Sequence, residues 1–255
     1  MDQIFGAILA AMFGAVFGSY ATLFAYRLPR GESCFGRYFG RKSRCPNCES
    51  IIKTRDLIPL LNWLFTLGRC RNCKVKIPRI HFFVELTTTL LFVFCYLKFS
   101  FSESFMIHAM ICVGLVILLA CDFTHKTLPQ AMLIFILMVV IANRVLVDQT
   151  TINMVYSAVV GIIFAVIFHQ IFYKRAPGFL ATETQSFDYT KFILIAALYL
   201  NIASFIFYFF AVMVILTILL LLKIPSEKQR GGFAYALIIP FIVLMFLAPI
   251  SINQF

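Results

Sequence analysis

Long apolar runs separated by short polar breaks organise this chain. A window of about 20 apolar residues is enough to cross a bilayer. Eight such runs can be read, at residues 4–26, 82–98, 105–121, 131–147, 151–173, 192–206, 207–222 and 233–250. The expected fold is an all-α polytopic membrane protein built from these transmembrane helices. No basic residue precedes the first run, and YRLPRGESC follows it where a signal peptide would carry a small-residue cleavage site, so a retained span is expected. One long polar interval remains, which divides the chain into a first transmembrane helix (1–26), a loop domain (27–81) and a transmembrane bundle (82–255).

Composition agrees with the pattern. Hydrophobic residues make up 62% of the 255 positions, 30 of them Phe, and only 13% are charged, which removes the chain from the ordinary soluble class. The charge is unevenly placed: 13 of the 22 Lys and Arg lie between Arg27 and Arg79 with only Glu32, Glu49 and Asp56 against them, a net +10 of the chain's +11. The positive-inside rule puts that loop in the cytoplasm. If the spans alternate, Lys126, the group Lys174, Arg175 and Lys191, and the group Lys223, Lys228 and Arg230 share the cytoplasmic face, leaving Lys98 and Arg144 on the far side. Topology accounts for the basic balance, and no nucleic-acid partner is expected.

The loop contains CPNC (Cys45, Cys48) and CRNC (Cys70, Cys73), two C-x-x-C knuckles with 21 residues between them. Four thiolates at this spacing can close a tetrahedral zinc site, and a reducing cytoplasm favours metal over disulfide. A loop of this size has little apolar surface to bury, so a structural zinc would supply much of its folding energy. The remaining cysteines, Cys34, Cys95, Cys112 and Cys121, lack ligand spacing, and the last three sit in or beside apolar runs, where cysteine packs as a small hydrophobe.

Acids are few, 11 in all. Asp2, Glu103, Asp148 and Glu227 fall in short connections or at the terminus, where a solvated charge suits them. Asp122, in CDFTHKTLPQ, closes the third run, and Asp188, in TETQSFDYTKFIL, stands just before the sixth. Both are expected at one membrane face, where ionisable groups are costly and usually tied to function. Two aspartates brought together would share a proton, one acting as general base on water and the other as general acid. The plain alternative is helix capping, since each precedes an expected helix.

The residues also resemble a family. FGSYATLFAYRLPRGES at 17–33, the two knuckles, IPLLNWLFTLGRCRNCKVKIPRIHFFVEL at 58–86 and CDFTHKTLPQ are similar, in order, to the type IV prepilin peptidases, also called prepilin leader peptidase/N-methyltransferases. The resemblance implies an inner-membrane aspartyl protease of the G-x-G-D class. Such an enzyme cleaves the basic leader of prepilins or pseudopilins on the cytoplasmic side, and many members then methylate the new N-terminus with S-adenosylmethionine. It makes Asp122 the first catalytic aspartate through the Asp-to-Leu-Pro spacing of DFTHKTLP. Asp188 becomes the second, although Ser186 and Phe187 stand where the motif is glycine-bounded and Lys191 lies three residues on. Glu183 is the other acid of that connection. Thr22 stands where asparagine is usual; Glu85 and the four knuckle cysteines match. The alternative function is a protease-deficient methyltransferase or a noncatalytic pilin-binding partner.

Several residues have plainer expected roles. His125 is read as a loop histidine, His81 as interfacial, and His108 and His169 as hydrogen-bonding between helices. Trp63 and the phenylalanines are read as packing. KRAPGF at 174–179 and RGGF at 230–233 are read as turns.

Overall fold

A computed structural model describes residues 2–34, 44–45, 47–52, 58–145, 151–171, 183–221 and 233–247. The KRAPGF segment and residues 230–232 lie outside the described residues. Among them, the chain forms helices α1 (Asp2–Arg27), α2 (Leu61–Phe65), α3 (Arg79–Phe99), α4 (Glu103–His125), α5 (Gln130–Asn143), α6 (Thr151–His169), α7 (Glu183–Tyr199), α8 (Ile202–Leu221) and α9 (Ala234–Leu247). Stretches within α1, α3, α4 and α8 are long and apolar enough to cross a membrane, and α5, most of α6 and α9 are shorter apolar helices. The all-α membrane class holds. The chain divides into two compact units, Met1–Ala120 and Cys121–Phe255.

In the first unit α1 packs along α3. Small residues make the approach possible: Gly6, Ala10, Gly14, Gly18, Ala21 and Ala25 are buried along one stripe of α1. A Cβ built on Gly14 would lie 2.8 Å from the Thr89 Cα, and one on Gly18 would lie 2.8 Å from the Glu85 Cα. Lipid tails give two apolar helices no hydrophobic reason to associate, so close backbone packing has to supply the attraction. Phe17 stacks on Phe92 above this seam, and Phe92 meets Phe105 of α4 edge-on. Cys95 and Cys112 here, and Cys121 at the start of the second unit, are buried as small apolar side chains.

In the second unit α7 contacts α5, α6, α8 and α9. Gly161 of α6 lets the α7 backbone come close; a Cβ there would meet the Ala197 Cβ at 2.6 Å. At the far end of α7, Arg144, just past α5, donates from Nε to the Leu198 carbonyl at 2.7 Å and from Nη2 to those of Tyr199 and Leu200 at 2.9 and 3.1 Å. A helix end leaves carbonyls without partners, and one guanidinium satisfies three of them.

Two boundaries differ from expectation. The break between the sixth and seventh runs falls at Leu200–Asn201 and not at 206–207, because the Asn201 side chain accepts the Ser204 N–H at 2.8 Å and starts α8 there. Asp188 does not precede a span; it lies inside α7, which begins at Glu183. With Gln185 and Phe187 at the two positions where a G-x-G-D motif ending at Asp188 would carry glycine, the helix-breaking cost of about 1 kcal/mol per glycine is absent, and the helix extends through the motif.

Gly14→Val should lower the detergent-solubilised chain's stability by about 1–3 kcal/mol through overpacking. Met12→Val, on the exposed side of α1, should change it little; chemical denaturation followed by circular dichroism measures both.

Candidate metal centre and buried carboxylates

The two knuckles are copies of one local structure. The Cys45 N–H donates to the Ser50 carbonyl at 3.0 Å and the Glu49 N–H to the Cys45 carbonyl at 2.9 Å; the Cys70 N–H donates to Val75 at 2.9 Å and the Lys74 N–H to Cys70 at 3.0 Å. Antiparallel bridges close each copy, Arg44 with Ile51 and Arg69 with Lys76. Glu49 (φ 53°) and Lys74 (φ 60°) both adopt the left-handed region at equivalent turns. Such a turn aims the two sulfurs of each C-x-x-C the same way.

All four sulfurs, of Cys45, Cys48, Cys70 and Cys73, lie within 4.8 Å of one another, so the cluster could hold a metal ion. The Cys45–Cys73 separation is 3.7 Å. Ligands 2.3 Å from a tetrahedral zinc stand roughly 3.8 Å apart, so the set fits that ion. Electrostatics favours thiolates at two of the positions. The Ser50 hydroxyl, the Ser50 N–H and the Asn72 amide lower Cys48 to about 6, and the Cys73 and Asn72 N–H groups lower Cys70. At Cys45 the Cys48 and Asn47 N–H groups also pull downward, but burial and the neighbouring sulfurs outweigh them and raise it to about 11. A cation among the sulfurs would relieve that crowding of negative charge.

Asp122 is 1% exposed, within the last turn of α4, and belongs to the second unit. Its Oδ1 accepts the Tyr189 hydroxyl of α7 at 3.0 Å, and its Oδ2 accepts the Ala234 N–H at the start of α9 at 2.9 Å. The Phe233 N–H donates in turn to the Tyr189 oxygen at 3.2 Å. Beyond Asp122 the helix stops at Lys126, whose φ of 58° turns the chain and whose N–H returns to the Asp122 carbonyl at 3.0 Å. The side chain therefore does not cap the helix that follows it in sequence. It bonds the first turn of α9 instead, where N–H groups lack intrahelical partners.

Asp188 is buried on α7, and its Oδ1 accepts Lys191 Nζ at 2.9 Å, an i,i+3 ion pair. The two carboxylates have separate partners, and the link between them is Tyr189, the residue after Asp188. Ser186 and Phe187 both engage His169 of α6: the Ser186 hydroxyl hydrogen-bonds its Nδ1 at 3.0 Å, and the Phe187 ring stacks on it at 5.0 Å. His169 thus bridges helices as expected. The His108 Nδ1 meets the Ser104 carbonyl of its own helix at 2.6 Å, and its ring stacks on Phe99, the last residue of α3. Glu85 accepts the Leu60 N–H at 2.7 Å, and Thr22 turns back to the Gly18 carbonyl at 3.0 Å. The Glu183 side chain lies outside the described residues. Tyr189 and the α9 N-terminus were not legible as partners of Asp122, because neither carries a motif.

Residues 12–99 match the family model described as Bacterial Peptidase A24 N-terminal domain. A "Type 4 prepilin-like proteins leader peptide-processing enzyme" of Escherichia coli is 30% identical over 137 residues, 48% of this chain and 51% of that protein. Two proteins named "Prepilin leader peptidase/N-methyltransferase" are also similar. That of Myxococcus xanthus is 34% identical over 49% of this chain and 36% of its own length, and that of Vibrio cholerae is 30% identical over 60% and 61%. The chain spans about half the length of these curated relatives. No solved structure matches it. With the apolar helices, the similarities support the type IV prepilin peptidase family and an inner-membrane, multi-pass protein.

The purified chain should carry one metal ion at the cysteine cluster, read by elemental mass spectrometry. Cys48→Ser together with Cys70→Ser should lower that content at least about tenfold and make residues 44–76 protease-sensitive, since a structural site couples metal to folding.

Proposed function

We propose that the chain is a membrane aspartyl endopeptidase that removes the leader of type IV prepilins or pseudopilins, and that it also N-methylates the residue newly exposed. The names of the similar proteins support both activities. The observation that carries the first is a buried carboxylate, Asp122, with both oxygens hydrogen-bonded in the unit that also buries Asp188.

In this reading residues 82–255 form the peptidase bundle, and residues 27–81 form a cytoplasmic loop domain held by zinc on Cys45, Cys48, Cys70 and Cys73. The basic balance of the loop sets the orientation, so that both aspartates face the cytoplasm. The hydrogen bonds within the second unit support that arrangement. The end of α4 and the starts of α7 and α9 meet at Asp122, as alternating spans require, while Arg144 joins the ends of α5 and α7 at the opposite end.

The substrate presents a basic leader in the cytoplasm and an apolar helix in the bilayer. Its helix lies among the spans, leaving the scissile peptide at the membrane surface, where water enters. One aspartate takes a proton from that water as it attacks the carbonyl, and the other protonates the departing amine, each step worth about 10²- to 10⁴-fold. Tyr189 and the Ala234 N–H hold Asp122 in place, and Lys191 holds Asp188. Zinc, when bound, supplies folding energy to the loop. S-adenosylmethionine would serve as methyl donor.

Asp122→Asn and Asp188→Asn should each lower leader cleavage at least about 10²-fold, measured by the mass of a cognate prepilin incubated with the reconstituted chain. Asparagine can still accept one hydrogen bond at position 122, so the fold should survive and metal content should be unchanged. Full processing by either variant would remove that residue from the mechanism.

A further inference from the structure

The segment between the knuckles and α3 carries chemistry that neither cleavage nor metal binding uses. Residues 58–79 contain five cations, Arg69, Arg71, Lys74, Lys76 and Arg79, and no acid. All five are exposed. Large apolar side chains are exposed beside them: Phe65 is 76% and Leu67 81% accessible, and Leu61 and Leu64 are about half accessible, at 47% and 50%. Leu67 (φ 52°) and Gly68 (φ 65°) form the left-handed turn that leads from the apolar end to the basic end. Phe65, Leu67, Arg69, Arg71 and Lys74 line one hollow of about 370 Å³.

Two contacts fix the height of this surface. Glu85 of α3 accepts the Leu60 N–H at 2.7 Å, and Trp63 packs on Phe82 of α3 with ring centroids 4.9 Å apart. Phe82 and Glu85 stand three and six residues into α3, roughly 5 and 9 Å along its axis. That helix has 21 residues and is apolar enough to cross a membrane. Its length of about 31 Å is close to a hydrocarbon core of about 30 Å, so its first turn, with Phe82, lies at the edge of that core and Glu85 about one turn further in. α2 is therefore held where acyl chains give way to headgroups.

We propose that α2 and the second knuckle form a docking surface for anionic lipid, with Leu61, Leu64, Phe65 and Leu67 entering the headgroup–acyl boundary and the cations meeting lipid phosphates. An apolar face beside clustered Lys and Arg at this depth is the composition that binds anionic membrane surfaces. The absence of any acid from the segment argues against a basic peptide as occupant. Docking would tether the metal-binding loop to the bilayer independently of any catalytic step.

Trp63 is the chain's one tryptophan and serves as the reporter. The full chain, metal-loaded, is placed in nanodiscs of brominated phosphatidylcholine, with or without brominated phosphatidylglycerol, and the quenching of its fluorescence is measured against salt. Quenching should be at least about twofold stronger with the anionic lipid at low salt and should fall toward the zwitterionic level as salt screens the contacts. Phe65→Ser with Leu67→Ser should lower quenching in both lipids, and Arg69→Gln with Arg71→Gln and Lys74→Gln should abolish the dependence on lipid charge. Retained metal content confirms that the knuckles of each variant still fold. A Trp63 signal indifferent to lipid charge, salt and these substitutions overturns the proposal, as does one that responds only to the number of chains per disc, which would point to a second copy as the occupant.

Discussion

A carboxylate taken out of water must have its oxygens bonded, and Asp122 meets that requirement with donors from two other helices of its unit. The Tyr189 hydroxyl and the Ala234 N–H draw the starts of α7 and α9 to the end of α4. Were the acid replaced by an apolar residue, the Ala234 N–H and the Tyr189 hydroxyl would both lose a partner in a setting where each unsatisfied group costs about 1–3 kcal/mol. The same side chain is thus a structural joint and the chemical candidate. Asparagine preserves the joint better than alanine would, which makes it the sharper probe of chemistry.

α7 occupies the centre of the second unit for a related reason. It carries Asp188, Tyr189 and Lys191 near one end and is held by Arg144 at the other. Between these ends it is apolar and buried, with Ile193, Ala196 and Ala197 accommodating its neighbours. Ser186 and Phe187 attach its first turns to α6 through a hydrogen bond and a ring contact to His169, the second of which a glycine at 187 would lack. A departure from a glycine-bounded motif has become a packed and hydrogen-bonded helix start.

The first unit is governed by a different economy of contacts. Its helices meet through absent side chains, at Gly14 and Gly18, and its loop brings four sulfurs together within 4.8 Å of one another. Both are solutions to a shortage of hydrophobic driving force, one within lipid and the other in a small domain.

The positions of most apolar helices could be read directly from the chain, because crossing a bilayer demands continuous apolar length. The cysteine cluster was also legible, since C-x-x-C spacing places two sulfurs on one turn whatever surrounds it. Candidate acids at 122 and 188 could be named because charge is rare in such a chain. Their partners could not: Tyr189 and Ala234 lie 67 and 112 residues from Asp122, and no local pattern marks them. The start of α7 was misjudged because a polar stretch reads as a connection, whereas packing against α6 and the lack of glycine let it continue as helix. Local composition determined which segments enter the membrane and which sulfurs gather; the tertiary structure alone decided what each buried polar group touches, because those partners come from distant segments whose meeting is set by helix packing.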